Sequence, residues 1–144
     1  MIYVNEEDLR IDGNVDLKAL TVEIPVKSST KEERKKPYVL RKRGYIRVHY
    51  NNEMYVLLFP RGYRWDGASI PFGFRWLIGA KGSPEFLFPS MVHDRLCENK
   101  DFIGRNRYLS SLIFKKLLIY CGVSEFKAGT MFHAVDNFQK FCGW

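Results

Sequence analysis

The chain has little of what builds a secreted, membrane-embedded or metal-stapled protein. Only three cysteines occur among its 144 residues, Cys97, Cys121 and Cys142, an odd number without any CxxC spacing. That pattern excludes a disulfide framework and a zinc site of the usual spacing, and it leaves reduced thiols that pack as small hydrophobes. No apolar run comes near the roughly 20 residues that cross a bilayer. The longest are Tyr55 to Pro60 and Leu117 to Cys121, so no transmembrane segment is expected. The opening stretch, Met1 to Asp8, is acidic and lacks both a basic n-region and an apolar h-region, so the chain is expected to carry no secretory signal and to stay in the cytoplasm that makes it. Internal repeats, low-complexity tracts and Pro- or Ser-rich linkers are missing too. A single domain over residues 1–144 is therefore expected, strand-rich over 1–60, a motif loop over 61–82 and helical over 83–144.

What is present is ample apolar surface and an uneven charge. With 46% hydrophobic residues, including 11 Phe, 8 Tyr and 3 Trp, the chain holds enough to bury a core without staples. The net charge of +7 is concentrated: residues 1–26 carry two basic and six acidic side chains, whereas residues 27–47 carry nine and two. Lys35, Lys36, Arg41, Lys42 and Arg43 belong to that second segment, which would attract nucleic-acid phosphates, an anionic surface or an acidic protein face. No zinc-finger, RRM or helix-turn-helix pattern surrounds it, so sequence-specific nucleic-acid recognition is unsupported. The preferred reading is a solvated loop followed by a charged strand edge, where lysines discourage strand-to-strand aggregation.

Met1 to Val4, Val15 to Val26 and Tyr38 to Leu40 are rich in Val, Ile, Leu and Tyr and are bounded by Asn, Gly, Pro or charge, as strands are. Gly44 to Tyr50 and Met54 to Phe59 flank Asn51-Asn52-Glu53, whose asparagines tolerate the positive φ of a tight turn; these arms are read as a hairpin in an antiparallel meander. His49 shares one alternating face with Tyr45 and Arg47 and is read as an ordinary strand residue. From Ser83 the period becomes helical. Ser83 as N-cap and Pro84 at the first helical position open a helix to about Asn99, with Pro89 expected to kink it or delay its regular part. A second helix is predicted from Arg105 to Cys121, stopped by Gly122. A third follows Ser124, with Ala128, Met131, Phe132, Val135, Phe138 and Phe141 as its apolar stripe. Strands first and helices last predict an α+β fold, with N-terminal antiparallel strands followed by three C-terminal helices.

Two segments hold residues fit for chemistry. One is Gly62-Tyr63-Arg64-Trp65-Asp66-Gly67-Ala68-Ser69-Ile70-Pro71, a polar and aromatic loop whose Asp-Gly turn leaves carbonyls accessible to a cation. The other is Val92-His93-Asp94-Arg95-Leu96 on the first helix. Adjacent helical side chains point about 100° apart, so His93 and Asp94 face different partners rather than each other. Trp65, Phe72 and Trp76 form an aromatic stretch around Pro71, read first as packing and second as an interaction surface. His133, among Met131, Phe132 and Val135, is read as a helix residue at the core margin.

At these residues the sequence resembles a family found mainly in phages and prophages, the domain-of-unknown-function 1353 family. The matching features are Gly62-x-x-Trp65-Asp66-Gly67-Ala68-Ser69-Ile70-Pro71, then His93-Asp94-x-Leu96, the Arg-rich start of the next helix with Phe114, and the closing Gly143-Trp144. The resemblance covers roughly residues 45–144 and implies a compact domain of phage origin, without an established activity. More distantly, Asp66-Gly67-Ala68-Ser69 and His93-Asp94 are similar to the loop and catalytic pair of bacterial and fungal phospholipases of the A2 type, and Asn99 loosely to an Asn of that helix. That similarity implies calcium held by Asp66, the Gly67 carbonyl and Asp94, with His93 deprotonating a water that attacks an ester.

The sequence departs from this pattern where a second helix should supply a carboxylate to orient the histidine. Ser110 or Ser111 stands there, which leaves Asp136 on the last helix as the candidate substitute; Cys97 or Glu98 stands near the expected Tyr, and Ala68 replaces a disulfide cysteine. A triad that loses its third member loses orders of magnitude in rate. The departures favour a structural clasp in which His93 and Asp94 hold the loop. The resulting expectation is a non-enzymatic phage structural or assembly protein without a cofactor, a virion component of the tail, neck or capsid surface that works with other phage proteins in a multi-copy assembly. The alternatives are a calcium-dependent esterase and an intracellular effector binding a host protein or nucleic acid through residues 27–47.

Overall fold

The computed structural model describes residues 1–67, 84–141 and 144. They fall into two compact units, Met1–Asp66 and Gly67–Trp144. The strands lie in the first unit and the long helices in the second, the α+β order expected.

Seven strands build the first unit: β1 (Ile2–Asn5), β2 (Leu9–Asn14), β3 (Leu20–Val22), β4 (Tyr38–Leu40), β5 (Gly44–Tyr50), β6 (Glu53–Phe59) and β7 (Arg64–Trp65). They form a four-stranded sheet, β1-β2-β5-β6, and a three-stranded sheet, β3-β4-β7, with every pair antiparallel. The expected hairpin is β5–β6. Its two-residue loop, Asn51 (φ 50°) and Asn52 (φ 64°), sits in the left-handed region that matches the twist of the flanking strands. Alternation along β5 buries Ile46 and Val48 completely, opposite Leu57 and Tyr55 of β6, while Leu9 and Ile11 of β2 complete the same face. Each such side chain contributes about 1.5–3 kcal/mol relative to an exposed one. Tyr45, Arg47 and His49 line the other face with Met54, Val56 and Leu58.

β2 is not among the strands expected from the sequence: Arg10, Asp12 and Gly13 interrupt its apolar residues. It becomes a strand through tertiary pairing, with Arg10 opposite His49, Asp12 opposite Arg47 and Gly13 opposite Ile46. Gly13 has φ 152°, and a Cβ there would run into the Tyr45 carbonyl oxygen and stand 2.8 Å from the Ile46 Cα. The segment Val15 to Val26, expected as one strand, is broken: Asp16 caps a 3-10 turn over Leu17–Ala19, its Oδ1 accepting from the Lys18 amide, and only Leu20–Val22 pairs.

β4 is the centre of the smaller sheet, and its Tyr38, Val39 and Leu40 are at most 1% exposed. An aromatic run joins the two sheets of this unit. Phe59 on β6 meets Tyr63 edge-on at 5.9 Å between ring centroids, Tyr63 stacks on Trp65 at 5.9 Å, and Trp65 leans on Tyr38 at 5.8 Å. Before β4 the basic segment folds into α1 (Lys31–Lys35), too short for periodicity to reveal. A reciprocal cap starts it, the Thr30 hydroxyl accepting from the Glu33 amide and the Glu33 carboxylate accepting from the Thr30 amide.

The second unit holds α2 (Pro84–Glu98), a 3-10 turn (Lys100–Ile103), α3 (Arg107–Tyr120) and α4 (Glu125–Phe141). α2 runs through Pro89 as one helix; its expected cap, Ser83, lies outside the described residues. Asn106 caps α3, and the helix ends at Gly122 (φ 101°), with the Gly122 amide donating to Ile119 and the Val123 amide to Leu118. α3 packs against both α2 and α4, burying Leu109, Ile113, Phe114, Leu117 and Leu118. On α4 the buried row is Ala128, Met131, Val135 and Gln139. The expected stripe is thus corrected at its end: Phe138 and Phe141 are 37% and 84% exposed, because the inward row steps from Val135 to Gln139, four residues on. Trp144 returns to the start of α3, its indole N–H donating to the Arg105 carbonyl at 2.9 Å beneath the Lys100 ammonium.

Gly13→Ala tests the closeness of β2 and β5. The new methyl must displace strand backbone, so the variant is expected to lose roughly 1–3 kcal/mol or more in urea unfolding. A midpoint equal to the parent's would show that the two strands separate freely.

Candidate functional site

Every residue of α2 from Leu87 to Asp94 is buried, so the helix presents no polar face to solvent in this stretch and its His and Asp are carried inside. His93 is 1% exposed. Its ring lies 5.1 Å, centroid to centroid, from Phe114 of α3, and its Nδ1 is 3.9 Å from the Cys97 sulfur one turn further along α2. Burial lowers the imidazole pKa to about 4, because the charged form loses its hydration. At neutral pH the ring is uncharged.

Asp94 points its carboxylate to the start of the same unit. Its Oδ2 accepts from the Gly67 amide at 2.8 Å, and the residue is 6% exposed. Gly67 therefore meets Asp94 through its N–H. A charge-assisted bond of this kind, between a helix and the residue following Asp66, ties Gly67 of the motif loop to α2. Asp66 is half-buried at the close of the first unit. Among the described residues no group of three or more His, Cys, Asp and Glu side chains is arranged to hold a metal.

The orienting group expected of Asp136 goes elsewhere, which corrects that expectation. Its Oδ1 accepts from the Ser111 hydroxyl at 3.0 Å and from Arg107 Nε at 3.2 Å, so the carboxylate joins α4 to α3 rather than to His93. The reason is helical phase: Arg107 and Ser111 are four apart and both face α4. Ser110 and Ser111 are fully buried, and the Ser110 hydroxyl finds no hydrogen-bond partner among the described residues. His133, placed at the core margin by sequence, is exposed.

Of the residues expected at an interaction surface, Lys35, Lys42 and Arg43 are exposed and Lys36 is half-buried. Arg41 is exposed but pairs with Glu23 at 2.9 Å. Trp65 is corrected as an interaction residue: it is 1% exposed, enclosed by Tyr38 and Tyr63. Phe72 and Trp76, like Ala68 to Ser83 as a whole, lie outside the described residues. Cys97 and Cys121 are half-buried, and Cys142 is again outside.

Sequence reading missed a second constellation, on the outward face of the larger sheet. Asp12, 4% exposed, receives a hydrogen bond from Arg47 Nε at 2.6 Å, and Arg10 Nε and His49 Nε2 stand 3.1 and 3.5 Å from its other oxygen. Burial pushes the Asp12 carboxyl pKa up, yet the Arg47 hydrogen bond and charge, with Arg10 and His49, hold it below the ordinary value. The alternation of Arg47 and His49 on one face was visible in the sequence. Their partner was not, since β2 went unrecognised.

A strand-rich unit followed by a helical unit, with a buried His-Asp pair on α2, defines an α+β protein of two successive parts. The chain belongs to the DUF1353 family, proteins of unknown function, whose profile matches residues 44–135. The match begins with β5 and ends within α4. No curated protein and no solved structure matches the chain.

The depressed pKa of His93 gives a signed prediction. Below about pH 6.5 the unfolded chain takes up a proton that the folded chain refuses until about pH 4, so stability from the neutral buried ring is complete above 6.5 and falls toward 4. The stability difference between the parent and His93→Gln is expected to shrink by about 3 kcal/mol over that window. Urea unfolding at several pH values reads it; a difference that stays constant would mean that His93 titrates normally.

Proposed function

We propose that the chain is a non-enzymatic structural or assembly protein of a phage particle, in which His93 and Asp94 act as an internal clasp. The observation that carries this reading is the pair itself: a ring of pKa about 4 sealed against Phe114, beside a carboxylate already bonded to a backbone amide. A general base works best with a pKa near the operating pH and within reach of its substrate's proton. His93 meets neither condition. Asp136, bonded to Ser111 and Arg107, supplies it no orienting carboxylate.

Support for an assembly role comes from apolar side chains left on the outside. Met54 and Leu58 of β6 are 57% and 60% exposed, and Phe126 and Phe141 of α4 are each 84% exposed. Large exposed apolar side chains of this kind suit contacts with other chains. The phage assignment rests on the motif resemblance, and a place in the tail, neck or capsid surface follows from it as part of the same proposal.

Two measurements decide. Mass spectrometry of purified particles from the virus encoding the chain is expected to find it at stoichiometric levels, and its absence would remove the structural role. Calcium titration followed by calorimetry is expected to give no heat above dilution. Saturable binding abolished by both Asp66→Ala and Asp94→Ala would replace the clasp with a calcium-dependent hydrolase.

A further inference from the structure

The nitrogen donors around Asp12 exceed what that carboxylate needs. One guanidinium neutralises one carboxylate, yet Arg10, Arg47 and His49 all converge on it, with side chains 49%, 45% and 39% exposed. Both arginines spend the same atom there, Nε. Among the described residues no hydrogen bond or ion pair takes any of their four Nη groups. A guanidinium is a rigid planar fork, so anchoring its Nε fixes where the remaining donors can be offered. The register makes the arrangement compact: Arg10 is opposite His49 and Asp12 opposite Arg47 on neighbouring strands.

Beside this cluster the turn between β1 and β2 and the tip of the β5–β6 hairpin enclose a groove of about 490 Å³, to which Arg10 and His49 contribute. Its remaining charge is of the opposite sign, from Glu6, Glu7, Asp8 and Glu53. That volume suits a small molecule. A simple anion would meet repulsion from the four carboxylates, and a simple cation would meet the arginines. A ligand carrying both charges satisfies both ends. Two forks also discriminate between oxyanions, because a carboxylate has two oxygens and fills one fork, whereas a phosphate ester can bridge two.

We propose that this end of the larger sheet binds a phosphate ester bearing an amine, with the phosphate on the Nη groups of Arg10 and Arg47 and the ammonium among the carboxylates of Glu6, Glu7 and Asp8, since the Glu53 carboxylate already accepts from the Tyr55 hydroxyl at 2.6 Å. Asp12 is a positioning residue, holding the arginines by Nε and touching no ligand. Met54 and Val56, opposite His49 and Arg47 and 57% and 39% exposed, offer an apolar bed for the carbon atoms of the ester. The same chemistry is available from a free phosphoamine or from an ethanolamine lipid headgroup.

The probe is phosphoethanolamine, titrated into the full chain and followed by nuclear magnetic resonance. Saturable shifts are expected on β2, on β5 and in the turn at Glu6 to Asp8. Inorganic phosphate and ethanolamine alone are each expected to bind at least about fivefold more weakly. Arg10→Lys and Arg47→Lys keep a cation for Asp12 and lose the fork, and each is expected to weaken phosphoethanolamine at least about tenfold with the spectrum otherwise intact. Lys42→Gln, in the basic segment, should leave affinity unchanged. Equal affinity in both Lys variants, an equal loss in Lys42→Gln, equal binding of inorganic phosphate, or no saturable shift would each overturn the proposal. Sedimentation with phosphatidylcholine vesicles, with and without phosphatidylethanolamine, separates the sources: retention that requires phosphatidylethanolamine and is lost in Arg47→Lys assigns the headgroup, and binding confined to the soluble ester assigns a free metabolite.

Discussion

Because Gly13 lets the backbones of β2 and β5 approach without a side chain between them, six successive residue pairs from Leu9↔Tyr50 to Asn14↔Tyr45 can form one ladder. That ladder is what makes the larger sheet a sheet. Without it the β1–β2 and β5–β6 pairs would be two isolated hairpins, each with one apolar face and neither able to bury it, and lone hairpins are marginal in water. The same ladder brings Leu9 and Ile11 beside Ile46 and Val48 on one side, and Asp12 beside Arg47 on the other. One steric allowance at a glycine thus supports both the apolar core and the charged outer face.

Legibility of the fold followed locality. The hairpin tip, the stops of α3 and the start of α4 could be read because Asn51-Asn52, Gly122 and Ser124 act on their own neighbours, and the structure uses each as expected. β2 could not be read, since Arg10 and Asp12 are acceptable strand residues only when His49 and Arg47 lie opposite, about 35 residues away in the chain. The long apolar segment after Val15 misled in the other direction. Its alternation is real, but Asp16 turns the chain first, and propensity cannot weigh a cap against a strand. On α4 the phenylalanines suggested a stripe that the period of 3.6 residues does not sustain to the helix end.

The His93-Asp94 pair was legible as a motif and not as an arrangement. Sequence placed both residues on a helix and correctly separated their directions. What it could not supply was depth: α2 is buried around most of its circumference from Leu87 to Asp94, and that depth, more than any lost partner, determines the protonation of the ring. Asp136 illustrates the same gap. Its identity as a carboxylate on the last helix was plain, but the choice between His93 and Ser111 belongs to the packing of α3 on α4. The Asp12 cluster was invisible for a further reason, since three of its four members look like solvated charges until the fourth is placed beneath them.

The strand orders of the two sheets carry a consequence for how the first unit folds. In chain order the strands go to the larger sheet twice, to the smaller sheet twice, back to the larger twice and to the smaller once, so each sheet is interrupted by the other. The β2–β5 ladder must close over residues 15–43, and β4 must wait for β7, which is made only after β6. Neither sheet can therefore nucleate from consecutive strands and run to completion. Closure entropy has to be met before the long-range pairs return anything, which places this half of the chain among slow, high-contact-order topologies. The second unit, whose helices α2, α3 and α4 meet their neighbours in sequence, has no such delay. During synthesis the half that emerges first is thus the half that completes last, and its exposed β6 side chains spend that interval in solvent beside whatever chain is nearest.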